Sequence, residues 1–113
     1  MTDVAALAHA LASIEVAAKQ VVHDHANEER RAAFCAILRE QRPIVASDHE
    51  LGSHDSWRLN IVRGMDAILR AETTTRRISE LERARLVASY VRMLRADIAN
   101  LAPVLRPLAG DPP

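Results

Sequence analysis

The histidines are the first residues whose types and spacing could do chemistry. Four of the five fall in two short segments that also carry acidic side chains: His23, His25, His49 and His54. Imidazole and carboxylate groups bind zinc and related metals, so a helical bundle could gather the two segments around one ion. The spacing argues against this, because residues two or five apart on a helix point in different directions and no His-x-x-x-His or Glu-x-x-His pattern exists. We therefore predict no metal site and keep a metal- or ligand-binding bundle as an alternative.

Two further groups carry nucleophilic residue types. Ser53, His54 and Asp55 match the members of a catalytic triad, but consecutive residues do not face one another, and no nucleophile elbow or oxyanion glycine turn accompanies them. The single cysteine, Cys35, lies within a helical pattern beside Phe34, which is typical of a small buried hydrophobic side chain. The sequence therefore predicts no enzyme, no catalytic residue and no cofactor.

Arginine is the dominant basic residue, with fourteen arginines beside one lysine, Lys19. Six arginines of the last forty residues suggest a nucleic-acid-binding face: Arg76, Arg77, Arg83, Arg85, Arg92 and Arg95. Glu80 and Glu82 alternate with them at helical contact distance, and 15 basic and 15 acidic residues give a formal net charge of zero. A solvated, partly ion-paired face is favoured, and a DNA-binding regulator stays as an alternative.

The composition predicts an all-α protein, since Ala, Leu, Arg and Glu dominate and only three residues are aromatic. A chain of 113 residues makes one domain, placed at 1–109, near the size at which pairing with a second copy helps. Residues 110–113 are predicted to be a disordered tail. One cysteine, no signal-peptide pattern and no continuous apolar run predict a cytoplasmic protein without a membrane contact.

The first half of the chain predicts two helices. An unbroken heptad series begins after a cap at Thr2 or Asp3, and its a and d positions are Val4, Leu7, Leu11, Ile14, Ala18 and Val21. The segment from residue 23 to 27 interrupts the series, and Asp24 or Asn27 can cap a second helix that Pro43 ends near residue 41. One continuous helix from residue 3 to 42 is the alternative.

The second half predicts a polar loop over residues 44–56 and two more helices. Ser53 or Ser56 can cap the third helix, whose apolar stripe is Trp57, Ile61, Met65, Ile68 and Leu69. Gly64 lies inside that helix, either because a neighbouring backbone comes close or because the position tolerates it. A capping box of Ser79 and Glu82 starts the last helix between 75 and 80, and Pro103 ends it near residue 102.

The last helix carries two apolar rows. The first row recurs at steps of three and four: Leu81, Ala84, Ala88, Val91, Leu94, Ile98 and Leu101. The second row consists of Leu86, Tyr90 and Met93. Together they cover about half the helix circumference, which exceeds the stripe of roughly 100° on an ordinary surface helix. Because Tyr, Trp and Met are enriched at interfaces, we predict a partner-binding or dimer interface formed by Trp57, Leu86, Tyr90, Met93 and Leu94.

Charge is distributed unevenly along the chain. Residues 1–50 hold five basic and eight acidic side chains, whereas residues 76–106 hold seven arginines and three acids. This asymmetry favours antiparallel packing of the first and last helices, within or between subunits.

The stretch DHELGSHDSWRLNIVRGMDAIL, residues 48–69, together with the chain length and the helical layout, resembles the QslA-like quorum-sensing antiactivators. The resemblance implies a homodimer that binds a LuxR-type transcription factor through that factor's ligand-binding domain and blocks its dimerisation. It transfers no site residue, because no short motif aligns. The sequence thus predicts an all-α, four-helix, homodimeric regulator that binds protein and does not contact nucleic acid directly.

Overall fold

Four α-helices follow one another along the chain: α1 Val4–His23, α2 Glu28–Ala46, α3 Asp55–Thr73 and α4 Glu80–Leu108, with one 3₁₀ turn at Gly52–His54 before α3. The structure is a computed structural model that describes residues 4–74 and 77–108. Each helix packs against the next one, and α4 returns against α1, so the helices close into an up-and-down bundle. The predicted all-α, four-helix fold is confirmed. The predicted cap at Thr2 or Asp3 and the tail 110–113 lie outside the described residues.

One hydrophobic core runs through the bundle, and every helix contributes to it. The heptad series of α1 is the inward face of that helix, since Leu7, Leu11, Ile14, Ala18 and Val21 are at most 1% exposed. The last helix contributes its longest buried row: Ala84, Val87, Ala88, Val91, Leu94, Ile98, Leu101 and Leu105. Leu81 was predicted to belong to this row, but it is 52% exposed in the first turn of α4.

The predicted break between the first two helices is present, and a continuous helix is wrong. Residues 24–26 form a turn, and Asn27 is the N-cap of α2 with an extended backbone. Its Oδ1 accepts a hydrogen bond of 3.1 Å from the Arg30 amide. The same device starts α4, where Ser79 Oγ accepts from the Glu82 amide at 3.0 Å. Both caps satisfy amide groups that the first turn of a helix leaves without partners.

The prolines do not end their helices, which corrects the predicted bounds. α2 continues through Pro43 to Ala46, and α4 continues through Pro103 and Pro107 to Leu108. A proline inside a helix removes one hydrogen bond and costs about 3 kcal/mol. All three prolines face solvent, and continuing each helix buries Val45 or Leu105 completely, which offsets the cost.

The start of α3 also differs from the prediction. His54, not Ser53 or Ser56, occupies the N-cap position, and its side chain makes no capping hydrogen bond. The preceding 3₁₀ turn takes that role, because Gly52 adopts a φ of 58° and its carbonyl accepts from the Asp55 amide. Within α3, a Cβ added at Gly64 would lie 3.4 Å from Leu94 Cδ1, so a side chain, not a neighbouring backbone, faces this glycine.

Three arginines hold the ends of the helices, and the sequence did not predict this role. Arg31 is fully buried; its Nη1 donates to the His25 carbonyl at 2.6 Å, its Nε donates to Glu72 Oε1 at 2.5 Å, and it also pairs with Glu80. These bonds join the α1–α2 turn to the end of α3 and the start of α4.

At the opposite end, Arg58 donates to the Val45 carbonyl at 3.0 Å and pairs with Asp55. Arg83 lies at the same end as Arg31, where it donates to the carbonyl oxygens of Ala71 at 2.8 Å and of Glu72 at 2.9 Å in the last turn of α3.

Among the described residues, α1 is the one helix that is long and apolar enough to cross a membrane, by length and composition only. In this bundle its inward row packs against α2 and α4. The core helix of a globular protein has the same length and composition.

Candidate partner-binding surface

Leu86, Tyr90 and Met93 lie on one side of α4, beside the row that enters the core. We call these three residues the outer row. Leu86 is 40% exposed and Met93 is 63% exposed, while Tyr90 is half-buried against the edge of the core. Spacings of four and three residues place them along one helix edge over about 10 Å. The outer row is therefore a continuous apolar strip that the bundle leaves open to solvent.

The structure does not bring all five predicted interface residues together. Leu94 follows Met93 directly but points inward and is fully buried. Trp57 lies at the beginning of α3, where its ring is 5.6 Å from that of His54 and its side chain packs partly against the core. Because α3 and α4 run antiparallel, Trp57 is at the opposite end of this helix pair from Leu86. The surface therefore consists of the outer row alone.

A groove between α3 and α4 runs along the outer row. Its volume is about 320 Å³, and it is lined by Ala67, Arg70, Ala71, Thr74, Ile78, Leu86 and Tyr90. Small side chains form its α3 wall, since Ala67 and Ala71 lie one turn apart and Gly64 precedes them by another turn. Short side chains keep that wall low, so the larger Leu86 and Tyr90 side chains project beside a depression. We call this depression the α3–α4 groove.

Sequence reasoning found the outer row but missed the α3 wall of the groove. The spacing of Gly64, Ala67 and Ala71 by three and four residues is the pattern that could have revealed it. Alanine fills a core as readily as it lines a surface depression, so the pattern alone does not separate the two.

One basic side chain, Arg70, lines the α3–α4 groove, and Arg63 lies two helical turns earlier on α3. Arg63 and Arg70 are both exposed and lie seven residues apart on the outer face of α3. In the described part of the chain, neither has a carboxylate within 4.0 Å; Arg63 reaches the Asn60 amide oxygen at 3.4 Å. Two positive charges with a spacing of about two helical turns therefore accompany the apolar strip.

The remaining arginines of the proposed basic face have mixed roles. Arg83 caps α3 and lies 3.6 Å from Glu80, and Arg95 Nε lies 3.0 Å from Glu15 Oε1. The Glu15–Arg95 pair joins α1 to α4, as the charge asymmetry predicted. Arg77, Arg85 and Arg92 are exposed, and Arg76 lies outside the described residues.

The histidine segments serve structural contacts. The His25 carbonyl accepts from Arg31, and His49 is buried with its Nε2 at 2.9 Å from the Ile44 carbonyl oxygen. Because a carbonyl oxygen only accepts, Nε2 is the donor in this contact, and Nδ1 is buried without a hydrogen-bond partner within the described ranges. Among residues 4–74 and 77–108, no three His, Cys, Asp or Glu side chains are arranged to hold a metal ion.

Cys35 is a core residue, 3% exposed, as the sequence predicted. Burial, and after it the neighbouring Glu72 carboxylate, raise the pKa of its thiol to about 11, while Arg39 and Arg31 act in the opposite direction. The thiol is therefore protonated at neutral pH, which makes it a poor nucleophile.

Comparison with protein-family models, with curated proteins and with solved structures gave no match to this chain. The outer row and the groove beside it are therefore the structural features that bear on function.

Proposed function

We propose that this protein is a small non-enzymatic regulator that binds another protein through the outer row. The observation that carries the proposal is the exposure of Leu86 and Met93 beside a core row that is already fully buried. The four helices complete their own packing without these side chains. Burying a large apolar side chain contributes about 1.5–3 kcal/mol, so a partner that covered the row would gain several kcal/mol from it.

The kind of regulator is proposed from the resemblance of residues 48–69 to quorum-sensing antiactivators. In this proposal, the chain sequesters a LuxR-type transcription factor by occupying the surface through which that factor dimerises. Helix faces commonly bind partners in this way, with apolar anchors spaced three and four residues apart. The outer row has this spacing.

The homodimer that the resemblance implies is assigned to a surface other than the outer row. Both contacts can then exist at the same time. Under this proposal, a Met93→Arg variant should sediment with the same oligomeric state as the wild type. A loss of self-association in the variant would place the dimer contact on the outer row instead.

The test is co-expression of the tagged chain with each LuxR-type transcription factor of the same genome, followed by size-exclusion chromatography with nuclease present. We expect a stoichiometric complex with one factor and loss of that factor's own dimer. Met93→Arg should abolish the complex, because it places a charge in the buried apolar contact.

Val16→Arg is the matched control, since Val16 is 64% exposed on α1 and Met93 is 63% exposed on α4. This control should form the complex as the wild type does. Failure of every factor to associate would contradict the antiactivator assignment, and unchanged binding by Met93→Arg would contradict the role of the outer row.

A further inference from the structure

The charges that border the α3–α4 groove carry a second inference, which rests on the proposed function and specifies the partner. We infer that the occupant of the groove is an amphipathic helix of another protein, with apolar anchors toward the outer row and acidic side chains toward Arg63 and Arg70. Three observations support this assignment: the shape of the groove, the matching spacing of its two sides, and the exposed positive charge along one side.

The shape of the groove favours a helix. It lies between two antiparallel helices, and its α3 wall includes the small residues Ala67 and Ala71 beside Arg70 and Thr74. Packed helices have their axes about 8–10 Å apart, and small side chains at the contact favour the shorter distances. A third helix could therefore lie along the groove and contact both α3 and α4, as a bundle helix contacts its two neighbours.

The two sides of the groove repeat with the same period. On α4, Leu86 and Met93 are seven residues apart, and on α3, Arg70 and Arg63 are also seven apart. The helix pair runs antiparallel: Gly64 faces Leu94, and further along the pair Ala71 and Leu86 line the same depression. In this register, Arg70 lies level with Leu86. Arg63, which precedes Gly64, lies level with Met93. A partner helix with apolar and acidic residues at i and i+7 would match both pairs at once.

The charge on the groove's border selects acidic residues. Arg63 and Arg70 are exposed and have no carboxylate within 4.0 Å in the part of the chain that the structure describes. The charge of Arg70 also acts on Asp66, one turn earlier on α3, but an incoming carboxylate breaks no close ion pair. The arginines that the bundle uses, by contrast, are committed to carboxylates or carbonyl groups, as Arg31 and Arg83 are. Opposite charges around an apolar contact raise the association rate and discriminate against partners of the wrong sign.

The probe is a designed, fluorescein-labelled helical peptide of about 18 residues, with Leu anchors at a and d positions and Glu at two flanking positions seven residues apart. A second peptide carries Lys in place of both Glu residues. Binding to the whole chain is measured by fluorescence anisotropy at low and high salt. We expect the Glu peptide to bind at least about tenfold more tightly than the Lys peptide, with a difference that shrinks as salt rises.

A charge-swap variant makes the test specific. The double variant Arg63→Glu/Arg70→Glu should reverse the preference between the two peptides, and circular dichroism checks that it remains folded. The matched control is Arg85→Glu/Arg92→Glu, which changes the same number of exposed arginines, also seven apart, on α4. This control should keep the wild-type preference. Equal binding of the two peptides, or no detectable binding of either, would overturn the inference.

The same variants separate this inference from the proposed function. If Met93→Arg loses the cellular partner while Arg63→Glu/Arg70→Glu retains it, the outer row binds a partner but the acidic helix is wrong. If the wild type self-associates at micromolar concentration and the charge-swap variant does not, the occupant is a second copy of this chain, which also overturns the inference.

Discussion

Val91 and Met93 lie two residues apart on α4, yet one is fully buried and the other is 63% exposed. Both belong to apolar rows of similar spacing, so hydrophobic periodicity alone treats them alike. The difference is what covers them. α1 and α3 pack over the buried row of α4 to which Val91 belongs, here called the inner row, and no other described part of the chain covers Met93. The inner row accounts for the fold, and for the outer row we propose a contact outside the bundle.

The arginines show the same contrast between buried and exposed side chains of one residue type. Arg31 is fully buried among His25, Glu72 and Glu80, whereas Arg70 is exposed beside the α3–α4 groove. The composition, with fourteen arginines, does not distinguish one from the other. Buried arginines should therefore determine stability, and exposed arginines should determine only what binds.

The largest effect is expected at Arg31. Its replacement by Ala removes the guanidinium that pairs with the Glu72 carboxylate, which is only 14% exposed. Breaking a buried ion pair by removing one partner costs about 3–5 kcal/mol. Urea denaturation should show this loss for Arg31→Ala, while Arg85→Ala should change the free energy of unfolding by less than about 0.5 kcal/mol. Equal effects would contradict the distinction between the two classes of arginine.

Leu94 and Met93 give the same comparison for adjacent apolar residues. Leu94→Ala removes buried methyl groups and should cost about 2–5 kcal/mol. Met93→Ala removes an exposed side chain and should change the free energy of unfolding by less than about 0.5 kcal/mol. Thermal or urea denaturation measures both. A loss above about 2 kcal/mol for Met93→Ala would show that the bundle itself needs the outer row.

The sequence predicted the buried apolar rows of the helices well and the positions of the helix ends poorly, and both outcomes have a physical reason. Leu7, Leu11 and Ile14 are recognisable because burial repeats with the helical period. The burial of Arg31 depends on Glu72, 41 residues away, and no local pattern encodes that contact. The extension of α4 past Pro103 similarly depends on the burial of Leu105, a tertiary gain that outweighs local propensity.

The candidate surface was only partly predictable for a related reason. Half the circumference of α4 is apolar, and this width indicated a second contact. Whether Leu94 or Leu86 faces that contact depends on where α1 and α3 lie around the helix. The α3 wall of the groove consists of small residues, such as Ala67, which are common in cores and on surfaces alike.

Gly64 gives a smaller test of the packing between α3 and α4. Replacing it by Ala should stabilise the protein by up to about 1 kcal/mol, because alanine has the higher helix propensity and the new Cβ meets Leu94 Cδ1 at 3.4 Å, an ordinary contact. Thermal denaturation should show a rise in Tm. A clear destabilisation would mean that the two helices approach more closely than described.

The smallest effect is expected from the ion pair between α2 and α3. Hydrogen bonding from Arg42 lowers the pKa of the Asp66 carboxyl despite partial burial, which alone would raise it. The folded state therefore favours the ionised carboxylate, so its contribution is complete above the ordinary aspartate pKa of about 3.9 and is lost as pH falls through the lowered value. Asp66→Asn should flatten the dependence of stability on pH below about pH 5, and Arg42→Gln should do the same. Wild-type slopes in both variants would contradict this account.

The central claim is that the outer row binds a protein while the inner row folds the chain. The most direct measurement is capture from the host's lysate, with nuclease present, by the tagged wild type, Met93→Arg and Val16→Arg in parallel, each first shown to have the wild-type unfolding midpoint. The account predicts one protein in stoichiometric amount with the wild type and with Val16→Arg, and its absence with Met93→Arg. The same protein bound equally by all three, or captured by none, would contradict it.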